Sequence, residues 1–378
     1  MIPVNQPLLN GREKELLIEC IESGWISSDG PFISEFERRF ATHIGADYGV
    51  AVCNGTAALE AALFAAGITQ GDEVIMPSFT IISCALAAIR LGAVPVLVDA
   101  EPETWNMDVS QIEARITRRT RAIMPVHIYG HPVDMDPVLE IADKYDLIVV
   151  EDAAEAHGAE YKGRKCGSLG HISAWSFYAN KIITTGEGGM VLTSDSKMAE
   201  RAASYRNLCF RPERRFYHSE LGHNFRMTNL QAAVGVAQMD RIEKFVQIKR
   251  RLGQYYRERL TEIEGIKCQV EKPWAKTVYW MYCIELDSNL GLDAAEMMRE
   301  LGRRGIGTRP FFLGLQEQPA LHGLGLFKGE RYPVTERIAR QGLYLPSGLT
   351  LTEKQVDEVV AAVSEVITRH KYHATQGL

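Results

Sequence analysis

A lysine, an acid and a glycine-rich turn form the most informative pattern in this sequence. Lys181 follows Ser176-Phe177-Tyr178-Ala179-Asn180 and precedes the turn Thr185-Gly186-Glu187-Gly188-Gly189, while the upstream apolar run Leu147–Val150 ends in Glu151-Asp152. A lysine amine can form a Schiff base with an aldehyde, and a carboxylate can keep the nitrogen of a bound pyridine ring protonated. The pair therefore predicts pyridoxal phosphate chemistry, with Lys181 and Asp152 as the catalytic residues.

Neither residue carries this prediction alone. A single lysine is more often a solvated surface cation, and an aspartate at a strand end often caps a helix. Asn54-Gly55-Thr56 adds a third element, because it lies between a predicted strand and an Ala-rich helix. The unpaired backbone amides of a first helical turn suit a phosphate, Gly55 would let it approach, and the Thr56 hydroxyl would add a donor. The alternative there is a simple helix N-cap.

Two further residues have candidate roles beside the same group. Ser176 precedes Lys181 by five positions, so its hydroxyl could also reach the phosphate. The alternative is a buried serine that is bonded to the backbone. Glu155 follows Asp152 by three positions and could face the ring hydroxyl of the cofactor. Its alternative role is to complement a helix dipole at the start of a helix.

Composition and length limit the class of protein. The chain has 378 residues, enough for about two or three domains, and its hydrophobic and charged fractions of 46% and 24% are ordinary for a globular protein. A net charge of −6 argues against a nucleic-acid-binding protein. The seven cysteines form no C-x-x-C pair, so we expect a reduced compartment and no metal site. We also expect no signal peptide in Met1–Pro7, no membrane span and a cytoplasmic location.

Apolar runs alternate with helical patterns from Tyr48 to about Asp195, and this alternation predicts the fold. The predicted strands are Gly49–Cys53, Glu73–Met76, Val94–Val98, Ala122–His127, Leu147–Glu151, Ser173–Ser176 and Met190–Thr193, and the predicted helices are Thr56–Ala66, Ile81–Leu91 and Asp134–Tyr145. Such an α/β pattern predicts a mostly parallel central sheet with helices on both faces. Ligands of these sheets bind beyond the carboxyl ends of the strands, so Asn54, Asp99, His127 and Asp152 are expected on one rim.

The remainder of the chain predicts a second, smaller α+β domain. Arg206–Arg226 is typical of a long loop, in which arginines alternate with aromatic residues, and Asn229 to about Leu260 predicts one long helix or two. The later predicted elements are a strand around Tyr279–Leu286, a helix over Asp293–Arg304 and an amphipathic helix from Thr352 to about Arg369. We therefore expect a large domain at 1–240 packed against a smaller one at 241–378.

Taken together, these motifs resemble the DegT-type family of nucleotide-sugar aminotransferases, which have the type I fold of pyridoxal phosphate enzymes. The resemblance rests on Trp25-Ile26-Ser27-Ser28, Asn54-Gly55-Thr56, Glu151–Ala156, Asn180-Lys181 and Gly222–Asn229. It implies that Lys181 is the Schiff-base lysine and Asp152 the partner of the pyridine nitrogen. It also implies a cofactor site in which Glu155 approaches the ring hydroxyl, Ala154 packs under the ring, and Gly55, Thr56 and Ser176 hold the phosphate.

The resemblance has further implications, and this sequence departs from the family pattern at two places. The segment Gly222-x-Asn224-x-Arg226 implies that Asn224 completes the phosphate site of a partner subunit, and hence a homodimer with shared sites. The family often has a ring-stacking aromatic residue where this chain has Ile81, which implies an aliphatic contact with the cofactor instead. A histidine-containing stretch near the sugar, common in related enzymes, is absent from Arg309–Leu315.

The activity implied is transamination, in which L-glutamate donates an amino group and a nucleotide-linked 4-keto-6-deoxyhexose accepts it. Within the family, Trp25–Ser28, Met124–His127, Ile182–Met190 and Arg226–Asn229 favour GDP-4-keto-6-deoxymannose, aminated at C4 to GDP-perosamine, a precursor of O-antigen. The candidate substrate contacts are Trp25, Arg211, Arg214, Arg215 and Arg309. The arginines between 206 and 226 would hold the diphosphate, or they form a solvated run of charge.

Three other functions stay open. A sugar dehydratase on the same fold would have histidine in place of Lys181, which argues against it. A non-catalytic sensor or regulator would need neither Lys181 nor Asp152, and the sequence shows no helix-turn-helix extension or basic tail. A transaminase of a small keto-phosphate is compatible with the departure near Phe312.

Overall fold

The computed structural model describes residues 1–210, 214 and 216–376, with side chains as far as Lys371. Its strands are β1 (Tyr48–Val52), β2 (Glu73–Pro77), β3 (Val94–Val98), β4 (Thr120–Ile123), β5 (Ile148–Asp152), β6 (Glu160–Tyr161), β7 (Arg164–Lys165), β8 (Ile172–Ser176), β9 (Gly189–Thr193), β10 (Ile266–Cys268), β11 (Ala275–Lys276), β12 (Tyr282–Leu286), β13 (Arg309–Pro310) and β14 (Gly342–Leu345). Its helices are α1 (Glu13–Ser23), α2 (Pro31–Ile44), α3 (Gly55–Ala65), α4 (Ser83–Arg90), α5 (Met135–Tyr145), α6 (Ser196–Arg206), α7 (Asn229–Met239), α8 (Ile242–Leu260), α9 (Ala294–Arg303), α10 (Pro319–Gly323), α11 (Pro333–Gln341) and α12 (Glu353–Gln376).

The central sheet has seven strands in the order β1-β9-β8-β5-β4-β2-β3. Five of them, from β8 to β3, run parallel, whereas β9 is antiparallel to both β8 and β1. Strands β8 and β9 are buried along their whole length, as expected where both faces of a sheet are covered. The predicted α/β fold with a mostly parallel sheet is therefore confirmed.

One predicted strand, Ala122–His127, is wrong at both ends. Strand β4 begins at Thr120 and leaves the regular ladder after Ile123. Pro125 has no backbone N–H to donate, so it cannot continue the pairing. Its carbonyl instead accepts a hydrogen bond from the Asp152 N–H at 2.9 Å, and Val126 makes an isolated bridge to Asp152. The interruption places this segment beside the end of β5.

A smaller antiparallel sheet, in the order β10-β12-β14-β13, follows in the second part of the chain. Helices α8, α9 and α12 pack against it around a second hydrophobic core. Helix α8 joins the two cores, because Phe245 lies in the large core and Tyr256 in the smaller one. The N-terminus also reaches the smaller sheet region, since Ile2 pairs with Ile306. The domain boundary at residue 240 stays a prediction.

Asn229–Leu260, predicted as one long helix or two, forms two helices, α7 and α8, separated at Asp240-Arg241. The predicted loop Arg206–Arg226 is tied to the central sheet where Val52 pairs with Arg226, and two of its own residues, Asn207 and Asn224, pair with each other. None of the helices in the described ranges is long and apolar enough to cross a membrane.

Candidate active site

A cavity of about 680 Å³ opens at the carboxyl ends of β5 and β8. It is lined by most of the residues that the sequence predicted for the cofactor, namely Gly55, Thr56, Ile81, Asp152, Ala154, Glu155, Ser176 and Lys181. These residues come from four separate segments of the chain, and the parallel sheet brings them together. The position of the cavity is the one that the strand order predicts for a ligand site in an open α/β sheet.

One end of this cavity suits a phosphate. Helix α3 begins at Gly55, and the Asn54 side chain caps it by accepting a hydrogen bond from the Ala57 N–H at 2.9 Å. The first intrahelical hydrogen bond is donated by Ala58, so the N–H groups of Gly55 and Thr56 precede the helical ladder. The cap and the phosphate site, which were alternatives for this segment, are therefore compatible.

Hydroxyl groups surround the same helix end. A Cβ atom on residue 55 would lie 2.8 Å from the Ser176 Cβ, so the close approach of α3 to β8 requires glycine. The Thr56 hydroxyl donates to the Ser83 Oγ at 3.0 Å. The N–H groups of Gly55 and Thr56 and the hydroxyls of Thr56, Ser83 and Ser176 therefore form a phosphate cradle at the positive end of α3. This cradle fits the phosphate of pyridoxal phosphate. Ser83 was not among the residues predicted from the sequence.

Lys181 lines the same cavity, and only 10% of its side chain is exposed. Its Nζ lies 3.7 Å from the Glu155 Oε1 and 3.9 Å from the centroid of the Trp280 ring. Burial lowers the pKa of Lys181, although the negative charges of Glu155 and Asp152 act in the opposite direction. A lowered pKa leaves more of the amine neutral, which is the form that attacks an aldehyde.

Two distant residues hold the backbone next to this lysine. The Asn180 carbonyl accepts hydrogen bonds from the Asn5 Nδ2 at 2.8 Å and from the Trp280 Nε1 at 2.9 Å. The Lys181 N–H donates to the Tyr178 carbonyl at 2.9 Å. The N-terminal segment and the segment before β12 therefore fix the turn that carries Lys181. No local sequence signal could have identified Asn5 or Trp280, because they are 175 and 100 positions away.

Asp152 is buried at the end of β5, and its carboxylate is held in one orientation. Its Oδ1 accepts a hydrogen bond from the Ala154 N–H at 3.1 Å, and its Oδ2 accepts one from the Cys84 thiol at 3.1 Å. Burial, together with the nearby Asp152 charge, raises the pKa of Cys84 well above its usual value. The thiol is therefore a protonated donor. This orientation suits a carboxylate that faces a protonated ring nitrogen.

Two other residues predicted on the rim have structural contacts. His127 lines the cavity, but its Nε2 lies 2.9 Å from the Glu151 Oε2 and its Nδ1 accepts from the Val133 N–H at 3.0 Å. Burial raises the pKa of Glu151, but hydrogen bonds from His127 and two backbone N–H groups outweigh it and lower the pKa overall. Asp99 does not line the cavity, because its carboxylate accepts hydrogen bonds from the Thr335 N–H and hydroxyl at the start of α11.

Glu155 is buried beside Lys181 and also touches a strained turn. Its Oε2 accepts a hydrogen bond from the Tyr129 N–H at 2.7 Å, and Tyr129 has a left-handed φ of 51°. Burial raises the pKa of Glu155 to about 7, whereas Lys181 and the Tyr129 N–H act to lower it. The Tyr129 carbonyl accepts from the Trp280 N–H at 3.1 Å. A single strained residue therefore positions both side chains that contact the Lys181 amine.

Replacing Glu155 with glutamine is expected to lower the pKa of Lys181 further in the cofactor-free protein. The change removes the nearest negative charge and leaves burial, which favours the neutral amine. The Lys181 amine should then lose its proton at a lower pH than in the wild type. The titration can be followed by NMR in protein whose lysines carry ¹³C at Cε, with the Lys181 signal assigned by its loss in Lys181→Met.

Glu187→Gln provides the matched control for this titration. Glu187 also lines the cavity but is exposed, and it has no ion pair with Lys181. Its replacement should leave the Lys181 titration close to that of the wild type. An unchanged or raised pKa in Glu155→Gln would contradict the charge coupling described here.

The remaining candidate residues lie outside this chain's own cavity or outside the described residues. Trp25, Asn224 and Arg309 are exposed and do not line the cavity. Arg211 and Arg215 lie outside the described residues, and the described Arg214 stacks on Tyr217 with its Cζ 4.8 Å from the ring centroid. The roles given to these residues stay predictions. Ile81 lines the cavity with 46% of its surface exposed, so an aliphatic side chain is available to a bound ring.

Aromatic side chains that were not predicted form much of the remaining wall. Trp280, Tyr178, Phe225, Phe312 and Tyr344 all line the cavity. Phe312 stacks on Tyr129 with ring centroids 5.8 Å apart. The stretch that departs from the family pattern thus contributes an apolar side chain to the site. Within the described residues, no group of His, Cys, Asp and Glu side chains could hold a metal ion.

Comparisons with known proteins agree with this geometry. Residues 7–364 match the model of the DegT/DnrJ/EryC1/StrS aminotransferase family. The chain is 42% identical over 370 residues to a GDP-perosamine synthase of Caulobacter vibrioides, covering 97% of this chain and 98% of that protein. It is 40% identical over 364 residues to a GDP-perosamine synthase of Escherichia coli O157:H7, covering 96% and 98%.

A further relative and a solved structure extend the comparison. A putative pyridoxal phosphate-dependent aminotransferase of Bacillus subtilis, EpsN, is 32% identical over 382 residues, covering 99% of this chain and 97% of that protein. The crystal structure of DesI in the presence of its TDP-sugar product has a TM-score of 0.89 at 31% identity, covering 100% of this chain and 95% of that chain. The type I fold, the pyridoxal phosphate cofactor and the family resemblance are thereby confirmed. The chain belongs to the DegT/DnrJ/EryC1/StrS family and is a pyridoxal phosphate-dependent aminotransferase.

Proposed function

We propose that this aminotransferase converts GDP-4-keto-6-deoxymannose to GDP-perosamine, with L-glutamate as the amino donor. The observation that carries the chemistry is the placement of Lys181 between Glu155 and Trp280, in one cavity with Asp152. The substrate follows from the relatives, because those with 40–42% identity over nearly the whole chain are GDP-perosamine synthases. The proposed cytoplasmic location rests on the cysteine pattern.

Each group in the cavity has a defined part in this reaction. Pyridoxal phosphate, when bound, supplies an aldehyde and an electron-accepting ring. The end of α3 and the hydroxyls of Thr56, Ser83 and Ser176 would hold its phosphate. Asp152 would keep a proton on the ring nitrogen, and its orientation is set by Cys84 and the Ala154 N–H.

Lys181 has two successive tasks. Its Nζ would hold the aldehyde of the cofactor, and the lowered pKa favours the neutral amine that this attachment needs. As a free amine, the same Nζ would be the general base that moves a proton at the substrate carbon. Glu155 and Trp280 keep the amine within the cavity.

A screen of keto-sugar nucleotides tests the substrate. The purified protein is incubated with pyridoxal phosphate, ¹⁵N-glutamate and, separately, the GDP-, TDP- and UDP-linked 4-keto-6-deoxyhexoses, and the products are analysed by mass spectrometry. We expect ¹⁵N in the product from the GDP sugar and none with Lys181→Ala. Transfer to a TDP or UDP sugar without transfer to the GDP sugar would overturn the proposed substrate and leave the aminotransferase assignment intact. Transfer to a small keto-phosphate alone would overturn the nucleotide-sugar class.

We also propose a homodimer in which Asn224 completes the partner's phosphate site. Asn224 is exposed and lies outside the cavity of its own chain, which supports a role in another chain. Mixing Lys181→Ala with Asn224→Ala chains should form heterodimers with one doubly altered site and one intact site. Some activity is therefore expected to return on mixing. No recovery, when heterodimers are shown to form by native mass spectrometry, would contradict the shared site.

A further inference from the structure

A second cationic side chain lines the cavity. Arg90 is the last residue of α4, whose first residue, Ser83, accepts the hydrogen bond from Thr56 at the phosphate end. An eight-residue helix rises about 10 Å from end to end, so the backbone of Arg90 is set back from the phosphate cradle at Ser83. Half of the Arg90 side chain, 50%, is exposed. Arg90 therefore presents a positive charge in an open part of the cavity.

A buried carboxylate holds this arginine in place. The Arg90 Nη1 lies 3.2 Å from the Oε2 of Glu60, which is 1% exposed. The other oxygen of Glu60 accepts from the Tyr205 hydroxyl at 2.7 Å and lies 3.4 Å from the His223 Nε2. Among the described residues, Arg90 hydrogen-bonds only through Nη1, and a guanidinium has five N–H donors in a fixed fork. Donors thus remain for a ligand on a side chain whose direction is already set.

The other charged groups that line the cavity indicate an anion-binding role for the Arg90 guanidinium. The other ionisable groups that line it include three carboxylates, Asp152, Glu155 and Glu187. Lys181 is committed to the cofactor, and His127 is tied to Glu151 and Val133. Among the described residues that line the cavity, Arg90 is therefore the cation left for an anionic substrate, and planar bidentate binding of phosphate is what arginine does best.

We propose that Arg90 binds the diphosphate of the nucleotide-sugar substrate, an inference that rests on the proposed function. A guanidinium binds both diphosphates and carboxylates, so the carboxylates of the amino donor, L-glutamate, are the alternative ligand for Arg90. The donor's α-carboxylate is one bond from the reacting carbon and must lie beside Lys181. A diphosphate is separated from the reacting sugar carbon by the ring, which matches a half-exposed arginine in the open part of the cavity.

Binding of nucleoside diphosphates to the holoenzyme tests this assignment without turnover. Calorimetric titrations with GDP, UDP and TDP should show binding of at least one to the wild type. Arg90→Met should weaken that binding by about tenfold or more, the scale of a lost charge-assisted hydrogen bond. Arg90→Lys, which keeps the charge and loses the fork, should fall between the two. The rate of the glutamate half-reaction, followed by stopped-flow absorbance, should stay unchanged.

Two further variants serve as controls for this experiment. Arg90→Met leaves the Glu60 charge buried without its partner, so the double variant Glu60→Gln/Arg90→Met is measured as well and should show the same weakening. Arg201→Met is the matched control, because Arg201 is 42% exposed and pairs with Glu220 but does not line the cavity. It should bind nucleoside diphosphates like the wild type.

Each remaining outcome contradicts the inference in a distinguishable way. Unchanged binding in Arg90→Met would overturn the role of Arg90 and leave the proposed function standing. A slowed glutamate half-reaction with unchanged nucleotide binding would place Arg90 at the donor carboxylate instead. Absence of binding of all three nucleoside diphosphates to the wild type would overturn both the inference and the proposed function.

Discussion

Lys181→Ala is expected to abolish turnover while the protein still binds pyridoxal phosphate non-covalently. The change removes the amine that we propose both holds the cofactor and moves the proton, and a positioned base contributes about 10²–10⁴-fold by itself. The phosphate cradle at Gly55 and Ser176 does not include the lysine side chain and should still retain the cofactor. Turnover of the GDP sugar and the absorbance spectrum of the purified variant check both parts.

Lys249→Met is the informative comparison for that variant. Lys249 is also buried, and burial lowers its pKa to about 7. Its Nζ, however, donates to the carbonyls of Trp280 and Ser347 behind the cavity wall. We expect Lys249→Met to keep the cofactor covalently bound. Near-normal turnover in Lys181→Ala would show that Lys181 takes no part in the reaction.

Asp152→Asn is expected to preserve the fold and to slow both half-reactions by several orders of magnitude. An amide has nearly the shape of the carboxylate but cannot keep the ring nitrogen protonated, so the ring loses most of its capacity to accept electrons. The strand end should be maintained, because the backbone bonds of Asp152 to Pro125 and His127 do not involve the side chain. Stopped-flow absorbance of the glutamate half-reaction measures the loss.

A second aspartate separates this effect from a general change in charge. Asp195 caps α6 on the surface, where its side chain accepts from the Lys197 and Met198 N–H groups. Asp195→Asn should leave the half-reaction rates almost unchanged, since asparagine is also a good cap. A glutamate half-reaction at nearly the wild-type rate in Asp152→Asn would show that another group protonates the ring.

The parts of the site that the sequence predicted are those that depend on strand ends. Asp152 closes a strand that begins with three apolar residues, and Gly55 follows another strand and begins an Ala-rich helix. In a parallel sheet these ends converge on one edge, so local patterns were enough to bring them together. Ser176 and Lys181 follow the same logic at the end of β8. His127 and Asp99 occupy similar positions in the sequence, but their tertiary contacts with Glu151 and Thr335 give them structural roles.

The parts that the sequence did not predict depend on long-range packing or on unusual backbone. Trp280 reaches Lys181 from the segment before the smaller sheet, and Asn5 reaches Asn180 from the N-terminus. Tyr129 holds Glu155 through a left-handed backbone conformation that its side chain gives no reason to expect. Nothing in the local sequence distinguishes Cys84 from other buried helix residues, and only the fold shows that its thiol contacts Asp152.

Mapping the cofactor attachment site tests the central claim most directly. Borohydride reduction of the holoenzyme fixes any lysine–cofactor bond, and peptide mass spectrometry then identifies the modified lysine. Lys181 and Lys249 are both buried lysines with lowered pKa values, so pKa alone does not choose between them. The cavity does, because only Lys181 lines it together with Asp152 and the phosphate cradle. We predict modification of Lys181, and modification of Lys249 or another lysine in its place would contradict the assignment of the active site.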